Sequence, residues 1–177
     1  AVAGNPYFID LEKLVEDGLL EPGEPAERDW GGEPGRVAYG LIFAHRYEVL
    51  ERAFLRASRD EARMAALDAY MAENEWWLGD YALFMALKDA HGGRPWTEWE
   101  EPLRLRDHAA LEESRAAYGE RIRFYCFLQM LFAQQWKALK AYAGENGVRI
   151  IGDLPIYVPL DSADVWAEPE EFQLDEE

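Results

Sequence analysis

Asp153 is the residue whose sequence context most favours a chemical role. It follows the apolar run VRII at residues 148–151, which comes directly after Gly144 and Gly147 at the end of a long helical pattern. A helix, a glycine turn and a β-branched apolar run predict a buried strand of a parallel sheet. Loops at the carboxyl ends of such strands carry functional side chains. Asp153 therefore either supplies a carboxylate to a site or only turns the chain.

The other polar residues lack the patterns that metals, phosphates or nucleophilic catalysis require. His45, His91 and His108 have no paired ligand spacing. The acidic segment 161–177 contains no Lys or Arg, but it lacks the alternating oxygen ligands of a calcium loop, which favours a solvated surface. No glycine-rich phosphate loop or Ser/His/Asp arrangement is visible. We therefore predict no metal site and no cofactor.

Four tryptophans, Trp76, Trp77, Trp96 and Trp99, offer a second kind of chemistry, because an indole ring can stack on a sugar. Tryptophans are mostly buried in folded proteins, however. We favour packing over a sugar-binding platform for these four.

Helical periodicity accounts for most of the chain that must position these groups. Helices are predicted over 11–17, 36–57, 61–73, 80–90 and 107–143, with loops over 21–35 and 94–106. The apolar face of the second comprises Phe43, Tyr47, Leu50, Phe54 and Ala57. That of the last comprises Tyr118, Ile122, Tyr125, Phe132, Trp136, Leu139 and Ala143. One strand among these helices needs neighbours for its backbone hydrogen bonds. Either further sequence supplies them, or residues 148–158 are irregular.

Charge and cysteine content limit the partners and the compartment. The formal net charge of −17 disfavours binding to nucleic acid and to anionic membrane surfaces, because both are negatively charged and would be repelled. No apolar run has the length of a membrane-spanning helix, and the N-terminus has no signal-peptide pattern. Cys126 is the only cysteine, so an intramolecular disulfide is impossible. We predict a cytoplasmic protein that binds neither nucleic acid nor membranes.

Four segments resemble the amylomaltases, the 4-α-glucanotransferases of glycoside hydrolase family 77. They are AGNPYFIDLEKLVEDGLL at residues 3–20, WWLGDYALFMALKDAHGGRPWTEW at 76–99, FLQMLFAQQWKALKAYA at 127–143 and GVRIIGDLPIYVPLDSADVWAEPEEFQLDE at 147–176. The resemblance is collinear over almost the whole chain. No single motif has to carry it.

The resemblance implies an α/β fold, part of a (β/α)8 TIM barrel of the α-amylase-like superfamily with an inserted, mostly helical subdomain. The chain itself would be predominantly α. Residues 1–35 would be an early barrel segment and loop, and 36–106 the helical subdomain. Residues 107–147 would form a long helix leading back to the barrel, and 148–177 a barrel strand and an active-site loop. Both ends fall inside family motifs, so we expect a fragment of the N-terminal half.

The resemblance also implies the chemistry. Amylomaltases pass a glucosyl chain between maltodextrins with retention, which requires two carboxyl groups flanking the bond. In the family these lie on later barrel strands, so we expect the catalytic carboxylates beyond Glu177 and no catalytic residue in this chain. The expected partner is a maltodextrin or another α-1,4-glucan, and the fragment alone is expected to be inactive.

Matching positions define the expected site. Asp153 matches an aspartate that supports the active site of the wider superfamily, and Asp161, Ser162 and Trp166 match an element near the sugar-binding cleft. Trp166 would either stack on glucose or anchor the loop by packing, which we favour. Phe43 matches a tyrosine that some relatives use in a second glucan site, although core packing is the favoured role here.

A different class of function stays open. An acidic helical module without enzymatic activity could bind a partner or a carbohydrate through its aromatic surface. The AGNP and GDLPIYV segments distinguish the two hypotheses, because such a module gives no reason for either.

Overall fold

Helices form most of the structure. The computed structural model describes residues 2–33, 35–153 and 157–174. The α-helices are α1 (Leu11–Glu16), α2 (Tyr39–Ala57), α3 (Glu61–Glu73), α4 (Glu75–Ala90), α5 (Glu101–Arg104), α6 (His108–Ala117), α7 (Gly119–Glu145) and α8 (Ala163–Ala167). Short 3-10 turns cover Pro6–Phe8, Glu24–Glu27, Trp96–Glu98 and Pro169–Glu171. None of the described helices has the length and apolar character needed to cross a lipid bilayer.

The predicted strand at residues 148–151 is absent. This segment is irregular through Asp153, and its apolar side chains are exposed, with Ile151 at 94% of its free surface. A strand requires a neighbour for its backbone groups, and the described segments contain no strand to pair with it. The α/β class is therefore not seen in the described residues, whereas the predominantly α character of the chain is confirmed. Residues 154–156, within the segment 148–158 for which an irregular structure was the alternative prediction, lie outside the described residues.

Local capping explains why several helices begin and end where they do. Asp10 caps α1, because its carboxylate accepts hydrogen bonds from the backbone N–H of Glu12 at 2.9 Å and of Lys13 at 3.4 Å. Gly18 follows this helix with a φ of +70°, a conformation that glycine adopts without strain. The predicted helix over residues 11–17 is thus confirmed to within one residue.

The predicted helix over residues 107–143 is two helices. Asp107 caps α6 through the backbone N–H of Ala110 at 3.2 Å, and Tyr118 leaves helical geometry with φ −110° and ψ 19°. Gly119 then begins α7, which is 27 residues long. Helix α4 also differs, since it begins at Glu75 instead of residue 80.

Contacts divide the chain into two compact units. The first comprises Ala1–Ala3, Met71–Cys126 and Ala143–Glu177, and the second comprises Gly4–Tyr70 and Phe127–Tyr142. The core of the first unit is built from Leu83, Phe84, Leu87, Trp99, Leu111 and Trp166. In the second unit Phe54 of α2 packs on Phe127 of α7 with ring centroids 5.4 Å apart. The division into four segments given by sequence remains a prediction.

Two predictions about buried faces are wrong. Tyr125 is buried as expected, but Trp136 is 40% exposed and Leu139 is 51% exposed, because no described element of their unit covers these turns of α7. Phe43 is 73% exposed instead of lying in the core, since the buried face of α2 begins only at Val49. Periodicity correctly identified which face of each helix is apolar. It did not show how many turns of that face are buried by other parts of the protein.

Candidate functional site

Trp166 is a central packing residue of the first unit. Its side chain is 1% exposed, and its ring lies 5.8 Å from both Phe84 and Trp99. Its indole N–H donates to the carbonyl oxygen of Leu103 at 2.9 Å, and the guanidinium of Arg106 lies over its ring at 4.4 Å. Because the ring is buried and its indole nitrogen is bonded within the protein, Trp166 as placed here anchors α8.

Asp161 lies at the start of the same element and holds it to α4. Its carboxylate accepts a hydrogen bond from Lys88 Nζ at 2.6 Å and from the backbone N–H of Trp96 at 3.3 Å. Lys88 also donates to the carbonyl oxygens of Gly93 and Arg94, each at 3.0 Å. The ammonium group thus joins the turn after α4 to the segment before α8. Such a charge-assisted arrangement fixes the Asp161 carboxylate in one orientation.

Ser162 has a structural contact of its own. Its hydroxyl oxygen accepts from the backbone N–H of Val165 at 3.3 Å and thereby caps α8. Asp161, Ser162 and Trp166 are therefore brought together as one anchored element. The Asp161 side chain orients the loop, the Ser162 side chain caps the start of α8, and the Trp166 side chain fills the core of the first unit.

Asp153 is not joined to this element by the contacts of the described residues. It lies in irregular, exposed chain, and residues 154–156, which connect it towards Asp161, are outside the described ranges. The structure thus shows Asp153 exposed after the run 148–151, and its role in supporting an active site stays a prediction.

Phe43 lies in the second unit near the beginning of α2. Tyr39, four residues earlier, is 77% exposed, and residues four apart lie side by side on a helix. The two rings together present an aromatic surface to solvent. Sequence reasoning selected Phe43 and missed Tyr39, although the spacing of four residues is the signal that would have found it.

Trp76 and Trp77, which the sequence analysis assigned to packing, form an aromatic run with Tyr81. Trp77 is half-buried, and its ring lies 5.9 Å from that of Tyr81. Trp76, in contrast, is 73% exposed, so the packing interpretation is wrong for this residue. Trp99 is buried and follows the interpretation, and Trp96 is half-buried against the core of its unit.

Three polar contacts show how the nearby charged side chains are paired. Asp80 accepts from Arg106 at 3.0 Å and from Arg115 at 3.3 Å. His91 Nε2 lies 2.8 Å from Glu100, and the hydrogen bond to His91 is the main cause that lowers the pKa of the Glu100 carboxyl. Within the ranges that the structure describes, no three or more His, Cys, Asp or Glu side chains are grouped to hold a metal ion.

The comparisons with known proteins agree with this arrangement of helices. The sequence model of family Glyco_hydro_77, described as 4-alpha-glucanotransferase, matches residues 1–177. This chain therefore belongs to glycoside hydrolase family 77.

Individual relatives carry the same description. The chain is 51% identical to a 4-alpha-glucanotransferase of Thermus thermophilus over 180 residues and 39% identical to one of Clostridium butyricum over 178 residues. An amylomaltase from Streptococcus agalactiae, solved in complex with acarbose, matches 99% of the chain with a TM-score of 0.93 at 37% identity. The chain spans 35% of the first relative, 36% of the second and 35% of the solved protein.

Proposed function

We propose that this chain is the part of a 4-α-glucanotransferase that shapes and supports the glucan-binding cleft, in an enzyme that transfers α-1,4-glucan segments between maltodextrins. The observation that carries the proposal is the match of the 4-alpha-glucanotransferase family over all 177 residues. The fold agreement with an amylomaltase solved with acarbose supports a glucan as the substrate. A non-enzymatic interaction module would give no reason for a family match along the entire chain.

The mechanism we propose is a retaining double displacement. It needs one carboxylate as nucleophile and one protonated carboxyl group as acid and then base, about 5 Å apart. The proton donor needs a raised pKa. The resemblance to the family implies that this pair lies on later barrel strands. We therefore place it outside these 177 residues, in the part of the relatives that the chain does not span.

Asp153 is the residue of this chain that we propose to contact the substrate region. Its carboxylate is exposed here, so it is available to accept hydrogen bonds from sugar hydroxyls or from other parts of the enzyme. Asp161, Ser162 and Trp166 would act as positioning residues, because their contacts to Lys88, Val165 and Leu103 hold the adjoining loop in place.

We also propose that the full enzyme is a (β/α)8 barrel with a helical insertion. The exposed apolar run 148–151 would then gain strand neighbours from the remainder of the barrel. The exposed turns of α7 around Trp136 and Leu139 support this proposal, since large apolar surfaces on one helix face are usually covered in the complete protein.

Phe43 is proposed as part of a second glucan-binding surface. Its exposure, and that of Tyr39 on the same helix face, leaves two rings free to stack on sugar. A phenylalanine retains the stacking surface of the tyrosine found in some relatives and lacks its hydroxyl, so binding there is expected to be weaker.

The test uses the complete reading frame that contains this chain. Incubation with maltotriose should release glucose and form longer maltodextrins, and proton NMR of the transfer products should show that the new glucosidic bonds have the α configuration. The 177-residue chain is assayed in parallel and should show neither reaction. Absence of transfer by the complete protein would refute the proposed activity. Activity of the 177-residue chain alone would place the carboxylate pair within it and would refute the proposal that the pair lies in the rest of the enzyme.

A further inference from the structure

A groove of about 330 Å³ lies in the first unit between the beginning of α4 and the segment around α8. Its walls combine aromatic rings with carboxylates, among them Trp76, Trp77, Tyr81, Asp80, Glu168 and Glu171. No role for it follows from the family match. Its composition nevertheless differs from that of a core, because it joins apolar ring surface to charged acceptors at the protein surface.

The aromatic wall is held in place on one side and open on the other. The indole N–H of Trp77 donates to Asn74 Oδ1 at 3.2 Å, which fixes that ring. The ring of Trp76 lies 6.4 Å from it at 64°, and Trp76 remains 73% exposed. Trp76 therefore offers an exposed indole face beside a ring that is already held in place, and such a face can stack on an apolar surface of a ligand.

The polar wall is also organised before any ligand binds. Asp80 is oriented by its ion pairs with Arg106 and Arg115, while Glu168 and Glu171 are exposed after α8. Carboxylates accept hydrogen bonds from hydroxyl groups, and several of them together repel anions such as phosphate. Flat apolar surface bordered by acceptors matches a neutral sugar, whose ring has an apolar face and whose edge carries hydroxyl groups.

From this geometry we infer that the groove binds an α-1,4-glucan chain, with Trp76 as the stacking residue and the carboxylates as hydroxyl acceptors. The choice of glucan among neutral sugars rests on the proposed function. The groove gives the chain a way to retain long maltodextrins that does not depend on the catalytic carboxylates.

Binding is tested on the 177-residue chain by affinity electrophoresis in gels with and without soluble starch, and by calorimetric titration with maltoheptaose. Trp76→Ala should weaken binding about tenfold, because it removes the stacking surface. Trp76→Phe should recover most of the affinity. Ala167→Arg, which places a long side chain into the groove, should weaken binding in the same way without touching an aromatic residue. Trp136→Ala is the matched control, since it removes an exposed tryptophan of the other unit.

Each outcome decides the inference. Loss in Trp76→Ala and Ala167→Arg, with affinity retained in Trp136→Ala and equal melting temperatures, supports it. Equal affinity in all variants, or no binding by the unmodified chain at millimolar maltoheptaose, overturns it. The proposed transferase activity is judged separately, because it is measured as glucose release by the complete protein. The inference about the groove can therefore be refuted while the proposed transferase activity is confirmed, and the activity can be refuted while the groove still binds glucan.

Discussion

The indole nitrogen of Trp166 and the carbonyl oxygen of Leu103 are joined by a hydrogen bond of 2.9 Å across 63 residues of sequence. The bond satisfies the polar group of a buried ring that packs against Phe84 and Trp99 and lies under the guanidinium of Arg106. Buried indole groups usually find such a partner. The contact ties α8, and with it the Asp161–Ser162 segment, to the end of α5.

Trp166→Ala should strongly destabilise the first unit. Truncating a buried tryptophan removes its packing and leaves a cavity, which costs about 3–5 kcal/mol, and the carbonyl of Leu103 loses its donor. Urea unfolding followed by circular dichroism measures the change. Trp76→Ala is the control and should change the free energy of unfolding by about 0.5 kcal/mol or less, since that ring is exposed. Similar values for the two variants would contradict the role given to Trp166.

Glu24 should make the second unit sensitive to acid. It is buried, and it accepts from Arg56 at 2.7 Å and 3.1 Å and from the backbone N–H of Glu21 at 2.6 Å. The hydrogen bond from Arg56 is the main cause that lowers the pKa of the Glu24 carboxyl below its ordinary 4.5. A lowered folded-state pKa means that the charged form stabilises the fold above pH 4.5, and that this contribution is lost as the pH falls through the folded pKa.

The measurement compares Glu24→Gln with the unmodified chain from pH 7 to pH 3. At pH 7 the variant should lose about 1–3 kcal/mol of unfolding free energy, because Arg56 and Arg52 lose a charged acceptor. The difference should shrink as the pH falls below 4.5. A difference that stays constant over this range would show that charge at Glu24 does not stabilise the fold.

Gly4 should not tolerate a side chain. A Cβ at this position would lie 2.0 Å from Cδ1 of Phe132, and the backbone N–H and carbonyl of Gly4 are both bonded to the Gln129 side chain, at 2.8 and 2.9 Å. Gly4→Ala therefore forces the backbone or the ring to move, at a cost of about 1–3 kcal/mol.

Gly79 provides the opposite control. It lies inside α4, and a Cβ there would meet no atom within 4 Å. Gly79→Ala should raise the free energy of unfolding by about 0.5–1 kcal/mol, since alanine favours the helix. Thermal melts of both variants give the comparison. Destabilisation by Gly79→Ala would refute the open space assigned to that position, and an unchanged melt for Gly4→Ala would refute the close approach of Phe132.

Cys126 should be unreactive in the folded protein. Its side chain is 1% exposed, and burial raises the pKa of its thiol to about 12. The thiolate is the reactive form, so almost none is present at pH 8. An aromatic disulfide reagent should modify the chain slowly in buffer and rapidly in 8 M urea, as followed by absorbance. Rapid modification in buffer would show that this part of α7 opens readily.

The features predicted correctly from the sequence are those that depend on interactions between residues close together in the chain. Asp10 and Gly18 fixed the ends of α1, and the bounds of α3 were predicted without error, because caps and periodicity act within a few residues. Tyr118 was missed as a break, since it continues the apolar periodicity from α6 into α7. The break consists of a single non-helical backbone conformation at Tyr118, and that conformation does not require any particular residue type.

Burial was predicted less well because it depends on distant partners. The apolar faces at Trp136 and Phe43 were identified, but which element covers them is set by tertiary contacts. The run 148–151 has strand composition and lacks strand neighbours in the described residues, so composition alone could not decide its structure. For the candidate site, the segment 161–166 was selected by resemblance. Its contacts to Lys88 and Leu103 became visible only in the fold.

Asp153→Asn in the complete protein separates a functional role from a turn role. In this chain the carboxylate is exposed, so its replacement by an amide of the same shape should leave the melting temperature nearly unchanged. If the charge helps to order the transition state, kcat for maltotriose transfer should fall roughly 100-fold, equivalent to about 2.7 kcal/mol of barrier. Asp161→Asn is the matched comparison, because it weakens the contact to Lys88 and should lower the melting temperature together with activity. A near-normal kcat for Asp153→Asn would reduce this residue to a turn, and a large drop in its melting temperature would make it a structural residue.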